Sequence, residues 1–195
     1  MVDSPRFSLP LARSLADFGG VRYVFLTHRD DVADASAWAA HFGAARVIHA
    51  ADVTRETADA EVVLTGAGPW AFPRGPDAAG SPALRAAAAG DDALVLHVPG
   101  HTAGSCALLH RPSGALFSGD TLAHSAGLGR LTIFRRFNWS SVERQLQSVE
   151  ALLSHDWRHL LPGHGRRVHF ASKAAKDAAI KHLLAQEAAL EQGTR

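Results

Sequence analysis

The chain has 195 residues, enough for one domain with a substantial buried core. Its 47% apolar and 20% charged residues describe a soluble globular chain, and a formal net charge of +1 gives no electrostatic case for nucleic acid or an anionic membrane surface. No apolar run reaches a membrane span, no charged start leads into a hydrophobic signal region, and the lone Cys106 has no internal disulfide partner, so a reducing, cytoplasmic setting is expected, with an organellar address left open.

Along the chain the elements alternate between helix and strand. Leu9 to Phe18 carries Leu11, Leu15 and Phe18 at helical spacing and stops at Gly19-Gly20. Val21 to Leu26 is short and β-rich, the pattern of a buried strand. Asp34 can cap a helix through Trp38 to Phe42, stopped at Gly43. Arg46 to Ala50 and Glu61 to Gly66 read as two further strands. Ala67 to Asp92, rich in Gly, Pro and Ala, reads as loop with a short helical piece at Pro82 to Ala89. Three short strands follow at Ala93 to Val98, Cys106 to His110 and Ala115 to Gly119, the last two joined by a hairpin turn, "RPSG". Asp120 to Phe137 reads as a long loop. A helix starts near Ser140, with Val142, Leu146, Val149, Leu152 and Leu153 on one side. Arg158 to Leu161 is a brief strand, and Ala171 to Gln192 an amphipathic helix with Ile180, Leu183, Leu184 and Leu190 inward. With no repeat or linker, residues 1–195 are expected to form a single α/β domain.

The 12 histidines matter only through their placement. Four segments each put a potential metal ligand just after a predicted strand: "LTHRDD" (His28, Asp30, Asp31), "VPGHTAGS" (His101), "FSGDTL" (Asp120) and "LPGHG" (His164). Strand ends in a layered α/β protein converge on one rim, where loops build sites. Imidazole and carboxylate are donors that zinc and ferrous iron accept. Glycines beside three of these ligands let the backbone turn sharply enough to aim the side chains at a central ion.

In this order the four segments resemble the metallo-β-lactamase-fold hydrolases, the superfamily that includes glyoxalase II, whose first motif reads T-H-x-H-x-D-H. The first motif here is closer to a subgroup reading T-H-R-D-D-V-A-D-H. The resemblance implies a four-layer αβ/βα fold. By position it implies a first metal site of His28, Asp30, His101 and Asp120. Of the second site, His164 and Asp120 match. The two remaining places hold Val32 and Ala33 in strict register, or Asp34 and Ala35 with a two-residue shift. The expectation is one tightly held metal, zinc or else iron or manganese, with a weak or absent second ion. Asp30 in a histidine's place keeps a ligand at the usual distance but neutralises the ion's charge, which weakens it as a Lewis acid.

The implied chemistry is attack of a metal-activated water on an ester, thioester or amide of a small-molecule substrate. Asp31 or Asp34 is expected to orient or deprotonate the water, and His124 to protonate the leaving group. Arg135 and Arg136, with Asn138 and Trp139, and likewise Arg166 and Arg167, offer a grip on an anionic substrate or else form a solvated face. Buried Cys106 is expected to be inert. Two other readings stand beside the hydrolase: a non-catalytic descendant that binds a ligand or partner, and an iron-dependent redox protein.

In that family a Val-Asp-Ser-Pro-like segment follows an N-terminal β-hairpin region, and its aspartate supports the metal-motif turn without touching the ion. Here Met1 directly precedes Val2-Asp3-Ser4-Pro5. The expectation is therefore an N-terminally truncated version of the fold, with an unpaired sheet edge open to homodimerisation.

Overall fold

The structure is a computed structural model that describes residues 1–73 and 83–193. Helix α1 (Leu9–Asp17), strand β1 (Tyr23–Phe25), helix α2 (Ala35–Phe42), β2 (Ala45–His49) and β3 (Val62–Leu64) come first. The short strands β4 (Trp70–Ala71) and β5 (Arg85–Ala86) lead to β6 (Ala93–His97), β7 (Cys106–His110) and β8 (Ala115–Gly119). A hairpin of β9 (Ala123–Ser125) and β10 (Arg130–Thr132) precedes helix α3 (Val142–Ala151). Strands β11 (His159–Pro162) and β12 (Val168–His169) and helix α4 (Lys173–Gly193) complete the order.

Strands β1, β2 and β3 form a small parallel sheet. A larger sheet runs β12-β11-β8-β7-β6-β4-β5. The period-two alternation of strands then explains the layers. Val24 and Ile48 point outward into a cluster with Ala12 and Trp38 from the first two helices, while Phe25 and Val47 point inward. Across the middle these meet Val95 and Cys106 of the large sheet. On its far face Leu94, Leu96, Ala107 and Leu109 pack with Val149, Ile180 and Leu183 of α3 and α4. Three apolar interfaces therefore separate four layers, helix–sheet–sheet–helix, which is the expected αβ/βα order.

Four readings of the sequence need correction. Arg85–Ala86, expected in a helical piece from Pro82 to Ala89, pairs antiparallel with Trp70–Ala71; Pro82 itself lies outside the described residues. The alanine run yields because the edge of a sheet and the Arg85–Asp91 ion pair, 2.6 Å, hold it extended. The long loop from Asp120 to Phe137 contains the β9–β10 hairpin, a pairing that no periodic pattern of its short strands announces. Strand β12 was also unforeseen. Leu190, expected inward, is 58% exposed, one turn beyond Glu187, the last buried residue on that face of α4. Residues 1–3 run beside β1: Val2 bridges Phe25 in parallel, and Phe25 N donates to Met1 O at 3.0 Å. Among the described residues no helix is long and apolar enough to cross a membrane.

Arg46, the second residue of β2, is almost fully buried, and all five of its side-chain N–H groups are used. Nε and Nη2 donate to the Glu61 carboxylate at 3.0 and 2.8 Å, Nη1 to Ser36 Oγ and Asp59 Oδ1, and Nη2 also to Asp59 O. The guanidinium thus ties α2 to the approach of β3. Replacing it by alanine should cost about 2–3 kcal/mol in urea unfolding, the scale of hydrogen bonds to charged partners. The hydrogen bond from Arg46 holds the Glu61 carboxyl down to about 2, with burial opposing. A carboxyl depressed in the folded chain contributes stability above its unfolded pKa, ~4.3, and loses it as the pH falls toward the folded value. Stability should therefore drop on acidification from ~pH 4.5 towards ~2, and Glu61→Gln should flatten that slope. An unchanged slope in the variant would place the acid sensitivity elsewhere.

Candidate metal centre

Strands β6 and β8 are each antiparallel to β7, and β11 is parallel to β8, so all three run the same way. Their carboxyl ends share one rim, and from it hang the loops of His101, Asp120 and His164. His28 leaves the end of β1 in the other sheet. The two sheets are joined at this rim by Cys106 N donating to Thr27 O at 2.8 Å.

The orientation of His28 is set through Thr27. Asp3 accepts the Thr27 amide proton at Oδ1, 2.7 Å, and the Thr27 hydroxyl proton at Oδ2, 3.0 Å. Burial pushes the Asp3 carboxyl up to about 6, against the pull of those two bonds. Above that pH it is a carboxylate and can only accept. The Thr27 hydroxyl, its one proton given to Asp3, then accepts from His28 Nδ1 at 2.9 Å. The Nδ1 proton of His28 is thereby spent on Thr27, and Nε2 is the nitrogen turned toward the site, where a metal would take it.

Nε2 of His28 is buried without a hydrogen-bond partner, and so are both ring nitrogens of His101. Burial, with His28 beside it, lowers the pKa of His101 and keeps it neutral. His101 Nε2 lies 3.5 Å from Asp30 Oδ2 and 3.9 Å from Asp120 Oδ2. His28 Nε2 lies 3.9 Å from Asp30 Oδ2 and 4.0 Å from Asp120 Oδ2. Donors each about 2.0–2.2 Å from one ion would stand some 3.3–3.6 Å apart. The donor atoms of His28, His101 and Asp120 already lie within 4.8 Å of one another, so these three need only small inward movement to close on a metal, while Asp30 stands outside that group and reaches it through the two imidazoles. Orphaned buried imidazoles facing two carboxylates are otherwise costly, and an ion accounts for them. The residues fit the group.

A second set shares Asp120. His164 Nδ1 lies 2.9 Å from Asp120 Oδ1 and 4.0 Å from Asp31 Oδ2, and Asp31 Oδ2 is 3.8 Å from His28 Nε2. The Asp120 hydrogen bond raises the pKa of His164. Unlike the buried trio of His28, His101 and Asp120, this set is open, with His164 itself exposed.

Close approach, more than turning freedom, explains two of the glycines. A Cβ on Gly119, whose φ is +49°, would lie 2.5 Å from Thr27 Oγ1. One on Gly163 would lie 2.9 Å from Asp120 Oδ1 and 3.3 Å from Asp31 Oδ2. Side chains at either place would displace the groups that face the site.

Of the expected site residues, His28, Asp30, Asp31, His101, Asp120 and His164 stand together. Asp34 does not join them: at the start of α2 it makes no side-chain cap, and its Oδ2 accepts from Phe7 N at 2.7 Å. His124 belongs to neither set; its link to the site is its carbonyl, which accepts from Arg166 N at 2.9 Å. Arg135 is committed to α4, its Nε 2.5 Å from Glu187 Oε2 and its Nη2 3.3 Å from Glu191 Oε1. Arg167 lines a cleft with Asp3, Asp31 and His164. Cys106 is buried, which pushes its thiol far above the ordinary range and leaves it unreactive.

One supporting residue escaped the sequence reading. Asp52, buried just past β2, accepts from Arg29 N at 3.1 Å, Thr102 Oγ1 at 2.5 Å and Gly104 N at 2.8 Å. One carboxylate thus binds the loop of His28 to the loop of His101. The signal was present: Asp52, like Asp30 and Asp120, is an acid just beyond a strand end.

The family comparison agrees with this layout. The model of the Metallo-beta-lactamase superfamily matches residues 11–164. The chain belongs to the metallo-β-lactamase superfamily. Solved structures extend the likeness at the level of the fold. The DIM-1 metallo-β-lactamase superposes with a TM-score of 0.62 at 17% identity, over 93% of this chain and 78% of that one. TTHA1623 in a di-iron-bound form gives 0.60 at 19%, over 91% and 86%. FIM-1 from Pseudomonas aeruginosa in its mono-zinc form gives 0.61 at 14%, over 93% and 77%. No curated protein matches the sequence significantly.

In this metallo-β-lactamase-fold chain, Asp52→Asn should weaken metal affinity by roughly 10–100-fold, as loss of a supporting residue does, without removing any ligand. Competition against a chromophoric chelator measures it. Unchanged affinity in a folded variant would show that the two loops hold their places without Asp52.

Proposed function

We propose that this protein is a metal-dependent hydrolase of a small-molecule ester, thioester or amide, working at one tightly held ion. The observation that carries the reading is the buried pair His28 and His101: Nε2 of His28 and both ring nitrogens of His101 have no hydrogen-bond partner in the protein, and the pair faces Asp30 and Asp120. His28, Asp30, His101 and Asp120 would hold the metal, which when bound supplies a Lewis acid for the carbonyl and lowers the pKa of a water. Asp31, at the open side of the set, orients the attacking water and takes its proton at Oδ2. Asp34 is left out of this role because its carboxylate is bound to the backbone of Phe7. His164 holds Asp120 in place through Nδ1 and stands where a weaker second ion would sit.

Two carboxylates and two neutral imidazoles cancel the charge of a divalent ion. Such a donor set suits zinc and accepts iron or manganese more readily than a set built from histidines alone. TTHA1623, similar in fold, is known in a di-iron-bound form. This favours iron as the second choice of metal here.

The experiment is turnover of an aryl thioester by protein loaded separately with zinc, ferrous iron and manganese. Hydrolysis should disappear with a chelator, return with one of the metals, and fall by more than the roughly 100-fold that loss of a supporting residue costs when His101 becomes alanine. Cys106→Ala should leave it unchanged. Hydrolysis indifferent to chelator and to His101→Ala would overturn the reading. A folded, metal-loaded protein inert to esters, thioesters and amides would leave the non-catalytic descendant in its place.

A further inference from the structure

Above the centre lies a cleft of about 420 Å³ with the site residues Asp30, His101, Asp120 and His164 as its floor. Its remaining lining is three aromatic rings, Phe134, Phe137 and Trp139. Phe137 and Trp139 are 54% and 57% exposed. Large rings held in water at the mouth of a site are an unfavourable arrangement unless something covers them.

These rings are not on a loose loop. Trp139 N donates to His101 O at 2.8 Å, and Asn138 Nδ2 donates to Gly100 O at 2.8 Å and to Gln145 Oε1 at 2.7 Å. Gln145, fully buried, passes the connection on by donating to Asp120 O at 3.0 Å. At the other end Arg135 is fastened to Glu187. The aromatic wall is thereby positioned by the same backbone that carries two of the candidate ligands, while only its rings face the opening. Arg135, directly after Phe134, is spent on α4, and neither it nor the exposed Arg136 that follows is among the residues lining this cleft.

We infer that Phe134, Phe137 and Trp139 form a binding subsite for an uncharged apolar group, aryl or branched aliphatic, carried next to the scissile carbonyl of the substrate. The volume suits one such group, and the floor of ligating side chains makes the occupant a small molecule whose polar end reaches the centre. Asn138, once a candidate for gripping the substrate, serves instead as the bracket that holds the wall to the Gly100–His101 loop. This inference rests on the proposed metal centre only for the position of the substrate's polar end.

The test separates the two. A series of hydroxamates with one chelating head and different tails (methyl, naphthylmethyl, cyclohexylmethyl, carboxyethyl) is titrated calorimetrically into metal-loaded protein. The naphthyl and cyclohexyl tails should bind at least about tenfold tighter than methyl, the scale of burying one such group on aromatic faces, and the carboxyethyl tail should gain nothing. In Trp139→Ala and Phe137→Ala the ratio of naphthyl to methyl affinity should collapse towards one. In parallel, a neutral naphthyl amide without the chelating head is added to metal-free protein and followed by ring-current shifts of the Trp139 indole proton. Those shifts report the subsite even if no metal binds, so failure of the centre shows as methyl hydroxamate not binding while the amide still does. Equal affinity for all tails, a ratio that survives both variants, or a carboxylate tail as tight as naphthyl would each overturn the inference.

Discussion

Everything at the candidate centre depends on how Thr27 fastens one sheet to the other. Its carbonyl accepts Cys106 N from the large sheet, its amide and hydroxyl are taken by Asp3, and its hydroxyl oxygen receives the Nδ1 proton of His28. Gly119, the residue before Asp120, is a glycine because a Cβ there would strike the Thr27 hydroxyl. A single small side chain therefore sets the tautomer of one candidate ligand and the closeness of the strand that delivers another. Asp52 repeats the device one strand away, binding the His28 and His101 loops through one carboxylate. The centre is held by backbone amides and buried hydroxyls more than by the ligating side chains themselves.

That support explains how the imidazoles remain in a costly state. Buried and without partners, His28 Nε2 and both nitrogens of His101 would gain by rotating to any available hydrogen bond. Thr27 fixes one ring, and packing edge to face with centroids 4.8 Å apart constrains the pair. Asp31 lies immediately after Asp30, so consecutive carboxylates serve the cluster, Asp30 beside the two buried imidazoles and Asp31 between His28 and His164.

Much of this could be read from the sequence, for a physical reason. Buried parallel strands are short apolar runs, and a site at their ends places its polar residues directly after those runs. "VRYVFL" followed by "THRDD" and "ALFSG" followed by "D" are of this kind, and the interfaces of the layers follow from alternation within each run. What escaped depends on partners distant in sequence. The β9–β10 hairpin and β12 are pairings of two or three residues, too short to show a period. Arg85–Ala86 has a helical composition overruled by its neighbour Trp70–Ala71. Arg135 reads as a substrate clamp until Glu187, on the last helix, is seen beside it. Asp34 reads as a cap or a catalytic acid until the Phe7 amide is found on its carboxylate.

The central claim is that the rim of strand ends holds one tightly bound ion between His28, Asp30, His101 and Asp120. It is tested most directly by elemental mass spectrometry of protein purified without chelators and then equilibrated with zinc, iron and manganese. The account predicts about one equivalent of tightly held metal per chain, lost in His28→Ala and retained in His164→Ala. Two equally tight equivalents, or none, would contradict it.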